Sequence, residues 1–216
     1  MRQTNPGQSA LSRRSLLRLT AGAALWPTMI GPAHAALSAD DLTSIGKVED
    51  YMNGITSLAA SFVQIGPRGE LSRGRFYMRR PGRLRFEYDP PVPLLIVADG
   101  LWLVLYDKEL NQVTRLPLYE TPLGVLVAEN VNLSKDVEVT RVDRQAGLLR
   151  VQLIDRDRPD EGWLSLAFSD PPLELRQWHV QDAQGGITNV ALSDMQIGTK
   201  LDPELFVFTD PAPFRE

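Results

Sequence analysis

The sequence predicts a mainly β protein built on one curved antiparallel sheet, with only a few helices to cover it. Three observations predict this class. Apolar residues recur at three- and four-residue spacing near residues 39–53, but after Gly54 the apolar period falls to two for most of the chain. Turn-forming residues punctuate the alternating segments: Gly66-Pro67, Pro81-Gly82, Asp89-Pro90-Pro91 and Asp99-Gly100. Neither a repeat nor a low-complexity linker breaks the pattern. The result is one meander, preceded by a helix and interrupted once by another.

The first helix is expected from Ala39 to about Asn53. Leu42, Ile45, Val48 and Met52 form its apolar face, and Ser38 is the expected N-cap. Asp40 and Asp41 in the first turn suit the positive end of the helix dipole, and Gly54 is a suitable stop. Strands are expected at Leu58–Ile65, Leu71–Arg79, Arg83–Tyr88, Leu94–Ala98, Leu101–Tyr106 and Gln112–Leu116. Asp99-Gly100 between two apolar runs is the strongest hairpin signal. A short helix follows, with Thr121 as cap, Pro122 in its first turn, and Leu123, Leu126 and Val127 on one apolar face. Strands resume at Val137–Val142, Leu148–Ile154, Gly162–Phe168, Leu173–Val180 and Ile187–Met195. Asp202-Pro203-Glu204 starts one helical turn, and Leu205–Thr209 reads as a last strand.

Most of these strands alternate, so one face is wet and one is buried. In Arg83–Tyr88, Leu84, Phe86 and Tyr88 share one face while Arg83, Arg85 and Glu87 share the other. Leu94–Val97 and Leu101–Tyr106 are apolar on both faces and must be covered twice. A curved sheet plugged by helices can enclose an apolar cavity.

Residues 1–35 read as a cleaved export signal and residues 36–216 as one domain. Arg13-Arg14 precede an apolar run from Leu16 to about Pro32, and Ala33-His34-Ala35 offers small residues for cleavage. The paired arginines point to the twin-arginine route; the alternative is an ordinary secretory signal. Both end in the periplasm. The run is shorter than the roughly 20 residues of a membrane span and is broken by Pro27. Removing residues 1–35, with four arginines and no acid, takes the formal net charge from −4 to −8. Such a protein should not adhere to nucleic acid or to anionic lipid. The sequence contains no cysteine, so its core must hold without disulfides.

Enzyme chemistry finds little support. After cleavage His179 is the one remaining histidine, and no serine lies in a nucleophile-elbow pattern. With no cysteine, a zinc site would need unusual carboxylate ligands, so no metal and no cofactor is expected. Asp155-Arg156-Asp157-Arg158-Pro159-Asp160-Glu161 has the wrong spacing for a calcium loop and reads as a solvated hairpin connection. Seven arginines lie between Arg68 and Arg85, with Glu70 the only acid among them. They read either as an outer strand face blunted against edge pairing or as a docking surface for an acidic partner.

Several segments, in order, resemble the LolA family of periplasmic outer-membrane lipoprotein carriers. Leu58-Ala59-Ala60-Ser61-Phe62-Val63-Gln64 is similar to its opening strand. Gly74-Arg75-Phe76-Tyr77-Met78-Arg79-Arg80-Pro81 is similar to its second strand and Arg-Pro turn, and Leu95–Trp102 to its central hairpin. Thr121-Pro122-Leu123 matches the start of its mid-chain helix, and Phe206–Thr209 with Pro211 its closing strand.

The resemblance implies a single unclosed antiparallel β-barrel, a half-barrel, covered by an α-helical lid. It implies a monomeric, non-enzymatic carrier that takes lipoprotein acyl chains from an inner-membrane ABC-type release complex. Delivery would follow at the outer membrane, to a receptor such as LolB where one exists. Arg80, followed by Pro81, corresponds to the arginine that bonds lid carbonyls and keeps the empty carrier closed. Candidate cavity residues are Leu84, Phe86, Leu103, Tyr106, Leu123, Leu126 and Val127; which face of Leu101–Tyr106 points inward stays open. The alternatives are a carrier of non-protein lipid and a lipid-sensing regulatory domain of the same fold.

Overall fold

The computed structural model describes residues 37–135 and 137–211. The export signal read over residues 1–35 lies outside them. Helix α1 (Ala39–Gly54) starts as its sequence dictates. Ser38 Oγ accepts from Asp41 N–H, and the Asp41 carboxylate accepts from Ser38 N–H, a reciprocal capping box. Those bonds, with Arg144 close by, hold the Asp41 carboxyl below the usual carboxylate range. Gly54 is the last helical residue rather than the residue beyond the end, and extended Ile55 follows it.

Eleven strands form one unclosed antiparallel sheet. They are β1 (Ser57–Ile65), β2 (Leu71–Arg79), β3 (Arg83–Tyr88), β4 (Leu94–Asp99), β5 (Trp102–Asp107) and β6 (Gln112–Pro117). After a 3-10 turn (Leu118–Glu120) and helix α2 (Leu123–Val127) come β7 (Glu138–Gln145), β8 (Gly147–Ile154), β9 (Trp163–Asp170), β10 (Glu174–Gln181) and β11 (Ile187–Ile197). The spatial order is β6-β5-β4-β3-β2-β1-β11-β10-β9-β8-β7. Every neighbour is a sequence neighbour except β1 and β11, which zip two meanders together. The two free edges, β6 and β7, are therefore consecutive in the chain. Residues 118–137 must cross from one edge of the sheet to the other, and α2 is carried on that crossing.

One buried core occupies the helix-covered face of the sheet. Ile45, Val48 and Met52 of α1 and Leu126 and Val127 of α2 pack with residues of β1–β5 and β8–β11. Its centre is aromatic: the Phe76 ring lies 4.7 Å from Phe86 and 5.6 Å from Trp178, and Phe62 meets Phe86 and Tyr88 edge-on at 5.3 and 5.1 Å. Gly74 faces Tyr88 across β2–β3, where an added Cβ would lie 1.9 Å from Glu87 O. Only glycine lets the strands close there.

Leu205–Thr209 does not form the expected last strand. Pro203–Phe206 is a 3-10 turn, and the segment then runs on without strand pairing. It packs on the outer face, where Phe206 is buried under the Arg79 guanidinium and Phe208 meets Tyr106 at 5.6 Å. Arg85 Nη1 donates to Leu205 O at 3.0 Å. The alternation of buried Phe206, exposed Val207 and half-buried Phe208 arises from docking on a face, not from a ladder. This strap is the second cover that the doubly apolar β4 and β5 demanded: Val97 and Val104 pair across them on the outer face and are buried.

Trp178 is 1% exposed at the meeting point of the two meanders. Trp178→Ala should lower the unfolding free energy by about 3–5 kcal/mol, read from denaturant midpoints.

Candidate functional site

β2 ends at Arg79 and β3 begins at Arg83, so Arg80-Pro81-Gly82 forms the turn between them. Arg80 N–H donates to Thr56 O at 2.9 Å and seats the turn against the chain leaving α1. The Arg80 side chain then runs between the helices. Its Nε and Nη2 donate to Leu126 O at 3.1 and 2.8 Å, and its Nη1 donates to Met52 O. Leu126 is in the last turn of α2 and Met52 in the last turn of α1. The final carbonyls of a helix lack intrahelical partners, so they are natural acceptors for a guanidinium. Gly82 N–H adds a bond to Val127 O at 2.7 Å. One turn thus takes two consecutive carbonyls at the end of α2.

Arg80 makes no ion pair among the described residues. Burial pushes its ionisation down to about 10, still well above neutral pH. It remains a cation satisfied by neutral carbonyls alone. Displacing those carbonyls without replacement would leave a partly desolvated charge without acceptors, which is unfavourable.

Two α1 side chains hold the chain beyond α2. Asn53 Nδ2 donates to Val131 O at 3.1 Å and Asn53 Oδ1 accepts from Val131 N–H at 2.7 Å, while Glu49 Oε1 accepts from Leu133 N–H at 2.6 Å. α1 itself is pinned to the sheet. Tyr51 Oη accepts from Leu175 N–H at 3.1 Å, and Asp41 pairs with Arg144 at 2.6 Å. By contrast, α2 has only five residues.

A cleft of about 470 Å3 opens beside α2. Pro122, Gly124, Val125 and Ala128 line one wall and Leu153, Trp163 and Leu164 the other, with Glu120, Glu129, Asp155, Arg158 and Glu161 among its polar residues. Burial pushes the Asp155 carboxyl up, but the Asp157 N–H and the donors of Arg158 outweigh it and hold the group below the usual range.

Leu84, Phe86, Leu103, Leu126 and Val127 all belong to the single core, and Leu123 packs against it. None of the seven candidate cavity residues lines the open cleft. Tyr106 is misplaced: strand alternation puts Leu103 on the helix-covered face and Tyr106 on the other, under the strap, where its Oη donates to Asn111 Oδ1 at 3.1 Å. Thr121 does not cap α2, because its Oγ1 donates back to Leu118 O at 2.7 Å. Sequence reasoning missed Asn53, Glu49 and the Gly82 N–H; among these, the Pro-Gly turn was the only visible signal. His179 is half-buried on β10, and burial with nearby Arg150 lowers its ionisation.

The arginines of residues 68–85 divide by contact. Arg79 stacks on Phe206, Arg85 pairs with Glu87 at 2.7 Å, and Arg75 donates to Ser61 Oγ at 3.3 Å, whereas Arg80 turns inward.

The family model described as outer membrane lipoprotein carrier protein LolA matches residues 53–209. The chain belongs to the LolA family. An outer-membrane lipoprotein carrier protein of Leptothrix cholodnii is 30% identical over 83% of this LolA-family chain and 86% of that protein. The one from Cupriavidus taiwanensis is 29% identical over 93% of this chain and 96% of that protein. The crystal structure of a LolA superfamily protein from Nitrosomonas europaea aligns with 77% of this chain and 97% of that chain at a TM-score of 0.43 and 14% identity.

Gly82 has φ +74°, and a Cβ there would lie 2.7 Å from Gly100 Cα. Gly82→Ala should therefore destabilise this LolA-family chain by at least about 1 kcal/mol in chemical denaturation.

Proposed function

We propose that this chain is a periplasmic carrier of lipoproteins, taking acyl chains released at the inner membrane and delivering them to the outer membrane. The observation that carries this reading is the Arg80 latch. In a LolA-family chain, one partly buried cation holds the C-terminal ends of the two helices that cover the apolar core. Membership of a family whose relatives are named outer-membrane lipoprotein carriers supports the cargo class.

The energetics suit a carrier. Each methylene moved out of water contributes about 0.8 kcal/mol, so a dozen contribute about 10 kcal/mol. A hydrogen bond to a charged group is worth about 1.5–3 kcal/mol. A few latch bonds cannot refuse such a ligand. They bias the empty state toward closure and thereby lower the cost of letting cargo go. Lifting α2 would part Leu126, Val127 and Leu123 from Leu84, Phe86 and Leu103, and these six would then line the acyl cavity. Pro81 fixes the turn that aims Arg80. The expected partners are an ABC-type release complex at the inner membrane and, where present, a LolB-type receptor at the outer membrane. The carrier acts as a monomer and performs no covalent chemistry.

Purified protein added to spheroplasts should release acylated lipoproteins as soluble complexes; a protein that releases none contradicts the proposal. Arg80→Leu should still accept lipoproteins but pass them to outer membranes poorly. Normal delivery by that variant would remove Arg80 from the mechanism.

A further inference from the structure

The β8–β9 connection, expected to be a solvated loop, grips the crossing segment at both ends. Arg156 Nη2 donates to Ser134 O and Val137 O, each at 3.0 Å, beyond α2. Arg158 Nη2 donates to Glu120 O at 3.2 Å, in the turn just before α2. Arg158 is braced from its own loop by Asp155 at 2.8 Å and Glu161 at 3.0 Å. Between these two grips lies the cleft, with α2 as one wall and β8–β9 as the other. The Arg80 latch is at the opposite end of α2 from the Arg158 contact.

We infer that Arg158 is a second clasp on the lid and that the cleft it guards is the route by which an acyl chain slides under α2. The inference rests on the carrier reading and deepens it. The two clasps differ physically. Arg80 is partly buried between the helices and bonds neutral carbonyls. Arg158 is about one-third exposed and is held by carboxylates, so its brace weakens as salt rises. Arg158 yields first and opens the mouth, with Val125, Ala128, Leu153, Trp163 and Leu164 offering an apolar path inward. Arg156 keeps the far end of the segment tethered while the near end swings. Arg158 is a positioning residue here, since it acts through the Glu120 carbonyl and need not touch cargo.

The test is the rate at which purified protein takes up dansyl-undecanoic acid, a fluorescent single-chain acyl probe, by stopped flow. An exposed charge pair is worth at most about 1 kcal/mol, so Arg158→Gln should speed uptake about two- to five-fold. Raising salt should bring the wild-type rate up toward that of the variant and leave the variant unchanged, a signature that general loosening would not give. Val125→Trp, which fills the cleft while leaving Arg158 in place, should slow uptake and decides the route even if Arg158→Gln folds poorly. If Arg80→Leu alters uptake while Arg158→Gln, salt and Val125→Trp do not, the second clasp is wrong and the carrier reading stands. If neither wild type nor Arg80→Leu takes up the probe, the carrier reading fails and the clasp with it.

Discussion

A partly buried guanidinium with no counter-ion among the described residues is the constraint on which this structure turns. Arginine cannot shed its proton near neutral pH, so Arg80 must have acceptors wherever it is desolvated. The acceptors at hand are Leu126 O and Met52 O, both near helix ends. The same group therefore fixes the mutual position of α1, α2 and the β2–β3 turn. Because its acceptors are neutral carbonyls, the bonds can break and re-form without separating an ion pair. That suits an element with two states better than a buried salt bridge would.

The two helices differ in how the topology anchors them, and the proposed carrier cycle moves the less anchored one. β1, the strand that follows α1, lies mid-sheet, and α1 is tied down by Tyr51 and Asp41. α2 rides on the crossing between the two free edges; beyond the core packing of Leu126 and Val127, it and its flanks are held by hydrogen bonds from Arg80, Gly82, Asn53, Arg156 and Arg158. The outer face is closed differently, by the 203–209 strap over β4 and β5. Cover on both faces lets the central hairpin be apolar throughout while keeping one face reserved for the lid.

Where interactions are local, the sequence displays them. The Ser38 cap, the Arg83–Tyr88 strand and the Arg80-Pro81-Gly82 turn are each written within a few adjacent residues, and the structure carries all three. Alternation, however, reports only that two faces differ. It cannot distinguish a strand from a strap, which is why Leu205–Thr209 reads as β. A strand apolar on both faces gives no inward direction, so Tyr106 could not be separated from Leu103. Arg158 was invisible for a different reason: its acceptor lies 38 residues away and is a main-chain carbonyl, which any residue supplies. The loop's charges were legible, their purpose was not.

The most direct test is hydrogen exchange at the Arg80 Nε–H, observed by NMR in protein labelled with 15N on arginine. In the empty protein that proton should exchange slowly, because it is hydrogen-bonded to Leu126 O, and binding of an acylated ligand should release it to fast exchange. Equal exchange in the empty and loaded protein would contradict the account, since the lid would then carry cargo without ever letting go of Arg80.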